Sequence, residues 1–194
     1  MYRFIESICC QDGEIQNLDL HQERVNRTLR KFHLGSSIKI AKCLKDLPNT
    51  GKHKCRIVYG QQVESCEISE YPNRSITSLK LIIDDAIDYE FKSEDRQNLS
   101  RLFEQRGNCD DIIIVKNGLC TDSYFANLAF YNGSKWITPS EPLLKGVRRE
   151  QLIRGGSITE ENVSVEYIDQ FEKVSLINAM LDLGEVEIHI KNIN

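Results

Sequence analysis

Residues 111–138 read DIIIVKNGLCTDSYFANLAFYNGSKWIT, and this stretch contains strand-like runs separated by turn signals. The β-branched run 111–116 is followed by Asn117-Gly118, and the run 119–131 is followed by Asn132-Gly133. Asn-Gly is a strong signal for a two-residue hairpin turn, because both central positions of a type I′ turn require a positive φ. The stretch therefore predicts antiparallel strands joined by two tight hairpins.

The sequence on either side of this stretch predicts two helices and several strands. Ser93 can cap a helix that runs to Arg106, and Gly146 precedes another helix that ends at Gly155-Gly156. Strand-like runs follow in the tail, at residues 164–168, 174–179 and 185–190.

The first half of the chain opens with a predicted hairpin. Its strands are residues 3–10 and 14–18, on either side of Asp12-Gly13. A helix is predicted from Asp19 to about His33, and a second from Ser36 or Ser37 to Leu44. Further strand-like runs occupy residues 54–59, 63–70 and 78–84.

This order of elements predicts an α+β fold with two subdomains. We expect a smaller N-terminal α/β subdomain over residues 1–85, and a C-terminal subdomain over residues 86–194. The second has a mostly antiparallel sheet with helices.

Composition limits the classes of protein to which the chain can belong. Of its 194 residues 40% are hydrophobic and 28% are charged, which is ordinary for a globular protein and too apolar for a disordered one. No apolar run approaches the roughly 18 residues that a membrane span needs. The net charge of −4 argues against nucleic-acid binding through a broad basic face.

The cysteines and histidines give no pattern typical of a metal site. The seven cysteines include no C-x-x-C pair, and the four histidines are scattered. The sequence therefore predicts no bound metal and reduced, buried thiols in a cytoplasmic protein. Residues 1–6 also lack the basic-then-apolar pattern of a secretory signal.

Lys92 and Arg24 are the first candidates for chemistry. Lys92 follows Tyr89 and Phe91, and a partly desolvated lysine has a lowered pKa that makes its neutral amine available as a nucleophile or base. Arg24 could bind a phosphate through bidentate contacts. For both residues the alternative is a solvated surface side chain, which local context alone favours.

Four weaker candidates lie in the second half. Asp122, followed by Asn127, could orient a ring nitrogen or a base, although Thr-Asp-Ser is also ordinary turn composition. The helix start at Gly146-Val147-Arg148 could bind an anion, as any helix N-terminus could. Asn178-Ala179 ends a strand-like run and could supply a polar contact.

Taken in order, segments over nearly the whole chain resemble the class IV aminotransferases, which are fold-type IV pyridoxal-phosphate enzymes. That family includes branched-chain and D-amino-acid aminotransferases and aminodeoxychorismate lyase. The matching segments are FIESI with DGEIQNLDLHQERVNRT, KSEDR, DDIIIVKNGLCTDSYFANLAFYNGSKWITP, PLLKGVRREQLI and LINAMLDLGEV. The resemblance implies pyridoxal 5′-phosphate, bound between the two subdomains of a homodimer subunit.

The resemblance also implies a role for each candidate. Lys92 matches the catalytic lysine that holds the cofactor covalently, and Arg24 matches the phosphate-binding arginine of an H-x-x-R motif that begins at His21. Asp122 stands where the family usually has a glutamate that pairs with the pyridine nitrogen. Asn127 belongs to the same signature and is expected to contribute to cofactor binding.

Two further segments are implied to lie near the phosphate. Val147 and Arg148 match the turn whose backbone amides hold that group, and Asn178 and Ala179 match a second loop beside it. Arg148 replaces the threonine that often supplies a side-chain contact in the family.

The expected function is that of a lyase that takes a small molecule, releasing pyruvate from 4-amino-4-deoxychorismate and leaving 4-aminobenzoate for folate synthesis. Cys9 stands where some of the aminotransferases carry an arginine, and the family's leading hairpin is expected to be absent. Such a chain fits a one-substrate elimination somewhat better than transamination. The alternatives are a branched-chain or D-amino-acid aminotransferase, or a non-catalytic cofactor-binding homologue.

Overall fold

The computed structural model describes residues 2–35, 37–72 and 75–194, and its strands form two sheets. The chain divides into two units, of which the first comprises Met1–Asn73 and Phe91–Asp95. The second comprises Arg74–Glu90 and Arg96–Asn194. The predicted single division after residue 85 assigns the short segment Phe91–Asp95 to the C-terminal part of the chain. In the structure this segment groups with the N-terminal part.

The first unit is a four-stranded antiparallel sheet with one long helix. Its strands lie in the order β2-β1-β3-β4. They are β1 (Phe4–Gln11), β2 (Glu14–Ile15), β3 (Lys52–Tyr59) and β4 (Val63–Glu70), and the helix is α1 (Leu18–Lys31). The predicted first hairpin is confirmed, with its turn at Asp12 and Gly13, both of positive φ.

Helix α1 begins one residue before the predicted start. Asn17, in the left-handed conformation, precedes it, and its apolar side turns inward. Val25 and Leu29 belong to the same buried cluster as Phe4 and Ile8, which alternate along β1. Glu6 lies between those two residues on β1 and therefore faces the same side.

The predicted second helix is wrong. Ser36 lies outside the described residues, and the chain that follows forms only a short 3₁₀ helix, Ile40–Cys43. The side chain of Gln22 donates to the main-chain oxygen of Ile38 (2.8 Å) and accepts from the N–H of Ile40 (3.1 Å). These contacts occupy backbone groups that a longer helix would need for its own hydrogen bonds.

The second unit is built on an eight-stranded, mostly antiparallel sheet, which confirms the α+β prediction. The order β10-β9-β8-β7-β6-β5 forms the main path, and β11 pairs with both β8 and β12. The strands are β5 (Leu79–Ile83), β6 (Asp111–Lys116), β7 (Leu119–Ser123), β8 (Asn127–Tyr131), β9 (Trp136–Pro139), β10 (Thr159–Glu161), β11 (Lys173–Ile177) and β12 (Glu187–His189). Only β5–β6 and β9–β10 are parallel pairs among these strands.

The two Asn-Gly hairpins are where the sequence places them. Asn117 and Gly118 have φ of 50° and 75° and join β6 to β7. Asn132 and Gly133 lie between β8 and β9, and the Asn132 side chain accepts from the N–H groups of Ser134 and Lys135. The turn chemistry thus sets the register of the hairpins that carry Asp122.

Two helices of the second unit are α2 (Gln97–Phe103), followed by a 3₁₀ turn, and α3 (Val147–Arg154). Helix α2 starts three residues later than predicted, because Ser93 forms an extended bridge with Phe4 of β1. The predicted strand at 164–168 is wrong. The Ser164 hydroxyl accepts from Glu166 N–H and begins a 3₁₀ helix, Val165–Gln170.

Within the described part of the chain, no helix is long and apolar enough to cross a membrane. The seven cysteines are free, and four of them are buried. Burial raises the pKa of Cys55 to about 11 and that of Cys120 to about 12, so these thiols stay protonated and unreactive.

The sheet core of the second unit gives a test of the fold. Phe130 is fully buried between β9 and β11 and contacts Phe171, whereas Ile83 is 72% exposed. We expect Phe130→Ala to lower the free energy of unfolding by about 3–5 kcal/mol in urea denaturation. Ile83→Ala should change it by about 0.5 kcal/mol or less. Equal losses for the two variants would contradict the strand register.

Candidate active site

The candidate residues fall into two groups, one in each unit. The first group surrounds a carboxylate that the sequence analysis did not single out. Glu6, fully buried on β1, accepts from Arg24 Nε (2.8 Å) and Nη2 (2.5 Å) of α1. Its Oε2 also lies 2.6 Å from His21 Nδ1.

The H-x-x-R spacing explains this arrangement. Residues three apart lie on one face of a helix, and His21 and Arg24 are 1% and 7% exposed. Arg27 and Arg30, on the same helix, are exposed. The alternative that Arg24 belongs to a solvated basic face with local ion pairs is therefore wrong.

The charges in this group are set by ion pairing. Burial alone would raise the pKa of Glu6, but the Arg24 guanidinium and the His21 hydrogen bond outweigh it and lower the pKa to about 2. Burial lowers the pKa of His21. A neutral His21 therefore donates its Nδ1–H to the ionised Glu6, and its Nε2 has no hydrogen-bond partner among the described residues.

Lys92 lies in the same unit, beside the start of β1. Its main-chain oxygen accepts from Ile5 N–H (2.9 Å), and Glu94 N–H donates to Arg3 O (2.9 Å). The half-buried side chain carries one of the charges that lower the pKa of His21. Lys92 therefore lies next to β1 in the first unit. The same strand carries Glu6, the partner of Arg24.

The second group is centred on Asp122, in the hairpin of β7 and β8. Asp122 and Asn127 are directly opposite each other and both are buried. Asn127 Nδ2 donates to Asp122 Oδ1, and the Leu144 N–H donates to Asp122 Oδ2 (3.0 Å). Burial raises the pKa of Asp122 to about 6, although these donors and the Arg149 charge lower it.

The turn before α3 packs directly on this pair. A Cβ added to Gly146 would overlap Asn127 Oδ1, so only glycine fits at this position. The first N–H groups of α3, at Val147 and Arg148, have no acceptor within the helix and form its positive end. The predicted anion-binding turn is therefore next to the predicted partner of the ring nitrogen.

The Arg148 side chain is engaged elsewhere. It donates to Gln151 Oε1 (2.7 Å) and lies 2.9 Å from Asp182, which is 62% exposed. Any contact of Arg148 with an anion at the helix start is thus expected through its main-chain N–H. Arg149, which is fully buried, binds Pro139 O (2.8 Å) and Glu160 (2.6 Å) and anchors the helix.

Asn178 and Ala179 follow β11 in a tight turn. Asn178 Oδ1 accepts from Met180 N–H (2.8 Å) and Leu181 N–H (3.1 Å), and its Nδ2 donates to Phe125 O (3.4 Å). Phe125 belongs to the short loop between Asp122 and Asn127. The second unit therefore brings together Asp122, Asn127 and Val147, with Asn178 linked to them through this loop.

Comparisons with known proteins agree with this arrangement. Residues 92–187 match the family model described as amino-transferase class IV. The chain is 31% identical to a provisionally named 4-amino-4-deoxychorismate lyase from Haemophilus somnus, whose crystal structure superposes with a TM-score of 0.88. The match covers 94% of this chain and 98% of that one. The chain belongs to the class IV aminotransferase family.

Two further proteins are similar to this chain. An uncharacterized Haemophilus influenzae protein is 40% identical over 93% of this chain and 98% of its own length. A hypothetical aminotransferase from Mycobacterium tuberculosis, in a form with pyridoxal phosphate bound, has a TM-score of 0.80 over all of this chain and 81% of that one. At 12% identity it shows the fold alone. Family membership makes this chain a pyridoxal-phosphate-dependent enzyme, a lyase or an aminotransferase.

Sequence reasoning missed Glu6 and the Leu144 N–H. Glu6 could have been found, because the alternation Phe4-Glu6-Ile8 puts a carboxylate on the core face of a strand, where it requires a cation. The Leu144 N–H carries no side-chain signal.

The Glu6 cluster generates a pH-dependent prediction. The folded pKa of about 2 lies below the ordinary glutamate value of 4.5, so the stabilisation is present above pH 4.5 and is lost as pH falls through 2. We expect Glu6→Gln to lower the free energy of unfolding by about 3 kcal/mol at pH 7, and by progressively less in acid. Glu64→Gln, which removes an exposed pair with Arg3, is the control. A pH-independent cost at Glu6 would contradict the ion pairing.

Proposed function

We propose that this chain is a lyase that releases pyruvate from 4-amino-4-deoxychorismate and leaves 4-aminobenzoate, a folate precursor. The observation that carries the proposal is Asp122, a buried carboxyl that forms no salt bridge with a described side chain. Such a carboxyl group is suited to pair with a cation that a ligand brings, for example a protonated pyridine ring. The similarity to the Haemophilus somnus protein, which is provisionally named for this reaction, favours the substrate.

The donor set fits pyridoxal phosphate at both ends of the molecule. Asp122 would pair with the ring nitrogen. Within the second unit, the first N–H groups of α3, at Val147 and Arg148, would hold the phosphate with the loop at Asn178 and Ala179. By the family resemblance, Arg24 of the first unit is also a phosphate-binding residue. Because Gly146 has no side chain, the turn before α3 can pack directly against Asn127. Any side chain at position 146 would displace the Asn127 amide.

The bound cofactor supplies an electron sink for the pair of electrons left when a carbon–hydrogen bond breaks. The chain supplies the groups around it. Lys92 Nζ would hold the cofactor covalently and would then serve as the base that moves the substrate proton. Asp122, when ionised, would stabilise a proton on the ring nitrogen. Arg24, held rigidly by Glu6, contributes binding rather than proton transfer.

Elimination makes fewer demands on the site than transamination, which must admit two substrates in turn. Cys9 at the end of β1 and Arg148, whose side chain turns to Asp182, replace an arginine and a threonine that aminotransferases use. These replacements favour the lyase over an amino-acid aminotransferase.

We also infer a cytoplasmic homodimer, from the free cysteines and from the family resemblance. Sedimentation velocity at micromolar concentration tests the dimer, and a fully active monomer would contradict it. Cell fractionation tests the location.

The reaction is tested by mixing the purified protein, pyridoxal phosphate and 4-amino-4-deoxychorismate. We expect pyruvate and 4-aminobenzoate in equal amounts, with the cofactor absorbance retained. An aminotransferase would instead accumulate the amine form of the cofactor, and a non-catalytic homologue would release neither product. Either result contradicts the lyase.

Lys92 is tested by borohydride reduction and peptide mapping. We expect the label on Lys92, and we expect Lys92→Ala to abolish turnover while Lys80→Ala retains it, because only Lys92 has the ε-amine that binds the cofactor. A label on Lys80 or Lys116 would overturn the assignment.

Arg24 is tested by cofactor titration. Loss of a charge-assisted bidentate contact should weaken pyridoxal-phosphate binding by about ten- to a hundredfold in Arg24→Ala, with the rate largely restored at saturating cofactor. Arg27→Ala and Arg30→Ala, at exposed positions of the same helix, are matched controls. Equal effects at the three positions would remove Arg24 from the phosphate site.

A further inference from the structure

Both N–H groups of the Asn127 amide are taken up by protein acceptors. Its nitrogen carries two hydrogens, of which one goes to Asp122 Oδ1 and the other to Leu144 O (2.7 Å). Its oxygen lies against the α-carbon of Gly146, where a Cβ would overlap it. Asn127 therefore has no N–H left for a ligand, although it touches both the carboxylate and the turn before α3.

Two residues of the segment 144–146 contact the Asp122–Asn127 pair: Leu144 forms hydrogen bonds with both side chains, and Gly146 packs against Asn127. Leu144 donates its N–H to Asp122 Oδ2 (3.0 Å), and its own oxygen accepts from Asn127. Asp122, Asn127 and Leu144 thus form a closed ring of three hydrogen bonds. The ring ends at Leu144, three residues before Val147, where α3 begins.

Few charges act on the carboxylate besides these donors. Arg149 of α3 is the charged group that favours its ionised form, and burial opposes that form. On the neighbouring strand β6, Asp111 belongs to a separate network with Arg96 and the Ser123 side chain. Asp122 therefore depends on its hydrogen-bond donors to a greater degree than a carboxylate with an ion pair does.

We propose that Asn127 is a positioning residue: it keeps Asp122 ionised and aimed, and it ties that carboxylate to the turn at Gly146. It acts through Asp122 and makes no direct contact with the cofactor. The effect of Asn127 on the ring nitrogen of a cofactor rests on the proposed function. Its effect on the ionisation of Asp122 does not, because it is a property of the protein without cofactor.

The test uses the protein without cofactor, labelled with aspartate that carries ¹³C at the side-chain carboxyl. The Asp122 signal is assigned by its loss in Asp122→Asn and is titrated with pH. Asn127→Leu removes both donors and excludes replacement water. We expect it to raise the Asp122 proton-binding constant at least about tenfold, the effect of losing one charge-assisted hydrogen bond.

Gly146→Ala gives an independent arm, because the new methyl group displaces an intact Asn127 amide. It should raise the same constant, whereas Asn132→Ala, at an exposed hairpin turn, should leave it unchanged. If Asn127→Leu fails to fold, Asn127→Ser is measured instead, since its short hydroxyl cannot reach Asp122 and Leu144 together. An unchanged Asp122 titration in the folded variants would overturn the proposal.

A second readout concerns the loaded enzyme. Asn127→Leu should move the acid limb of the pH–rate profile upward with little change in cofactor affinity, and a merely structural role would not move that limb. If no reaction is found, the proposed function fails while the titration of the cofactor-free protein still decides the role of Asn127. If the lyase reaction is found and the titration does not move, only the role of Asn127 fails.

Discussion

A buried carboxylate that forms no ion pair with any side chain described in the structure is the constraint on which the candidate site of the second unit depends. Asp122 cannot be ionised in a protein interior unless donors surround it. The hairpin of β7 and β8 supplies the Asn127 amide, and the chain before α3 supplies the N–H groups of Leu143 and Leu144. The close packing of Gly146 on Asn127 follows from the same requirement, because the donor must lie against the turn. The position at which α3 starts thus depends on the hydrogen bonds that the Asp122 carboxylate requires.

The first unit solves the same physical problem in the opposite way. Glu6 is buried as completely as Asp122, but it has Arg24 as a bidentate partner and His21 as a third donor. Its pKa is accordingly lowered to about 2, whereas that of Asp122 is raised to about 6. Glu6 is a completed structural ion pair. Asp122 has hydrogen-bond donors but no ion pair with a described side chain, and this difference is the reason that we propose a cationic ligand for Asp122 and a structural role for Glu6.

Local sequence chemistry was sufficient for some elements and insufficient for others. The Asn117-Gly118 turn was predictable because its backbone angles demand these residues. The predicted strand at 164–168 failed because a serine cap diverts the backbone, and the predicted helix before Leu44 failed because Gln22, distant in sequence, captures its backbone groups. In both cases the hydrogen bonds of one side chain outweighed a short apolar pattern.

The candidate site shows the same division. The resemblance gave Asp122 and Arg24 by position in motifs, but not what holds them. Arg24 is held by Glu6 of β1, and Asp122 accepts from the main-chain N–H of Leu144. The side chain of Arg148 pairs with Asp182, which lies in a later loop. Such contacts depend on tertiary packing, which motif spacing does not encode.

We propose that Asp122 is ionised and pairs with a protonated ring nitrogen of the cofactor. The ¹⁵N chemical shift of the ring nitrogen, in ¹⁵N-labelled pyridoxal phosphate bound to the protein at pH 7, tests this pairing. We expect the shift of a protonated pyridinium in the native protein and that of a neutral pyridine in Asp122→Asn. A neutral ring nitrogen in the native protein, with the cofactor bound at Lys92, would contradict it.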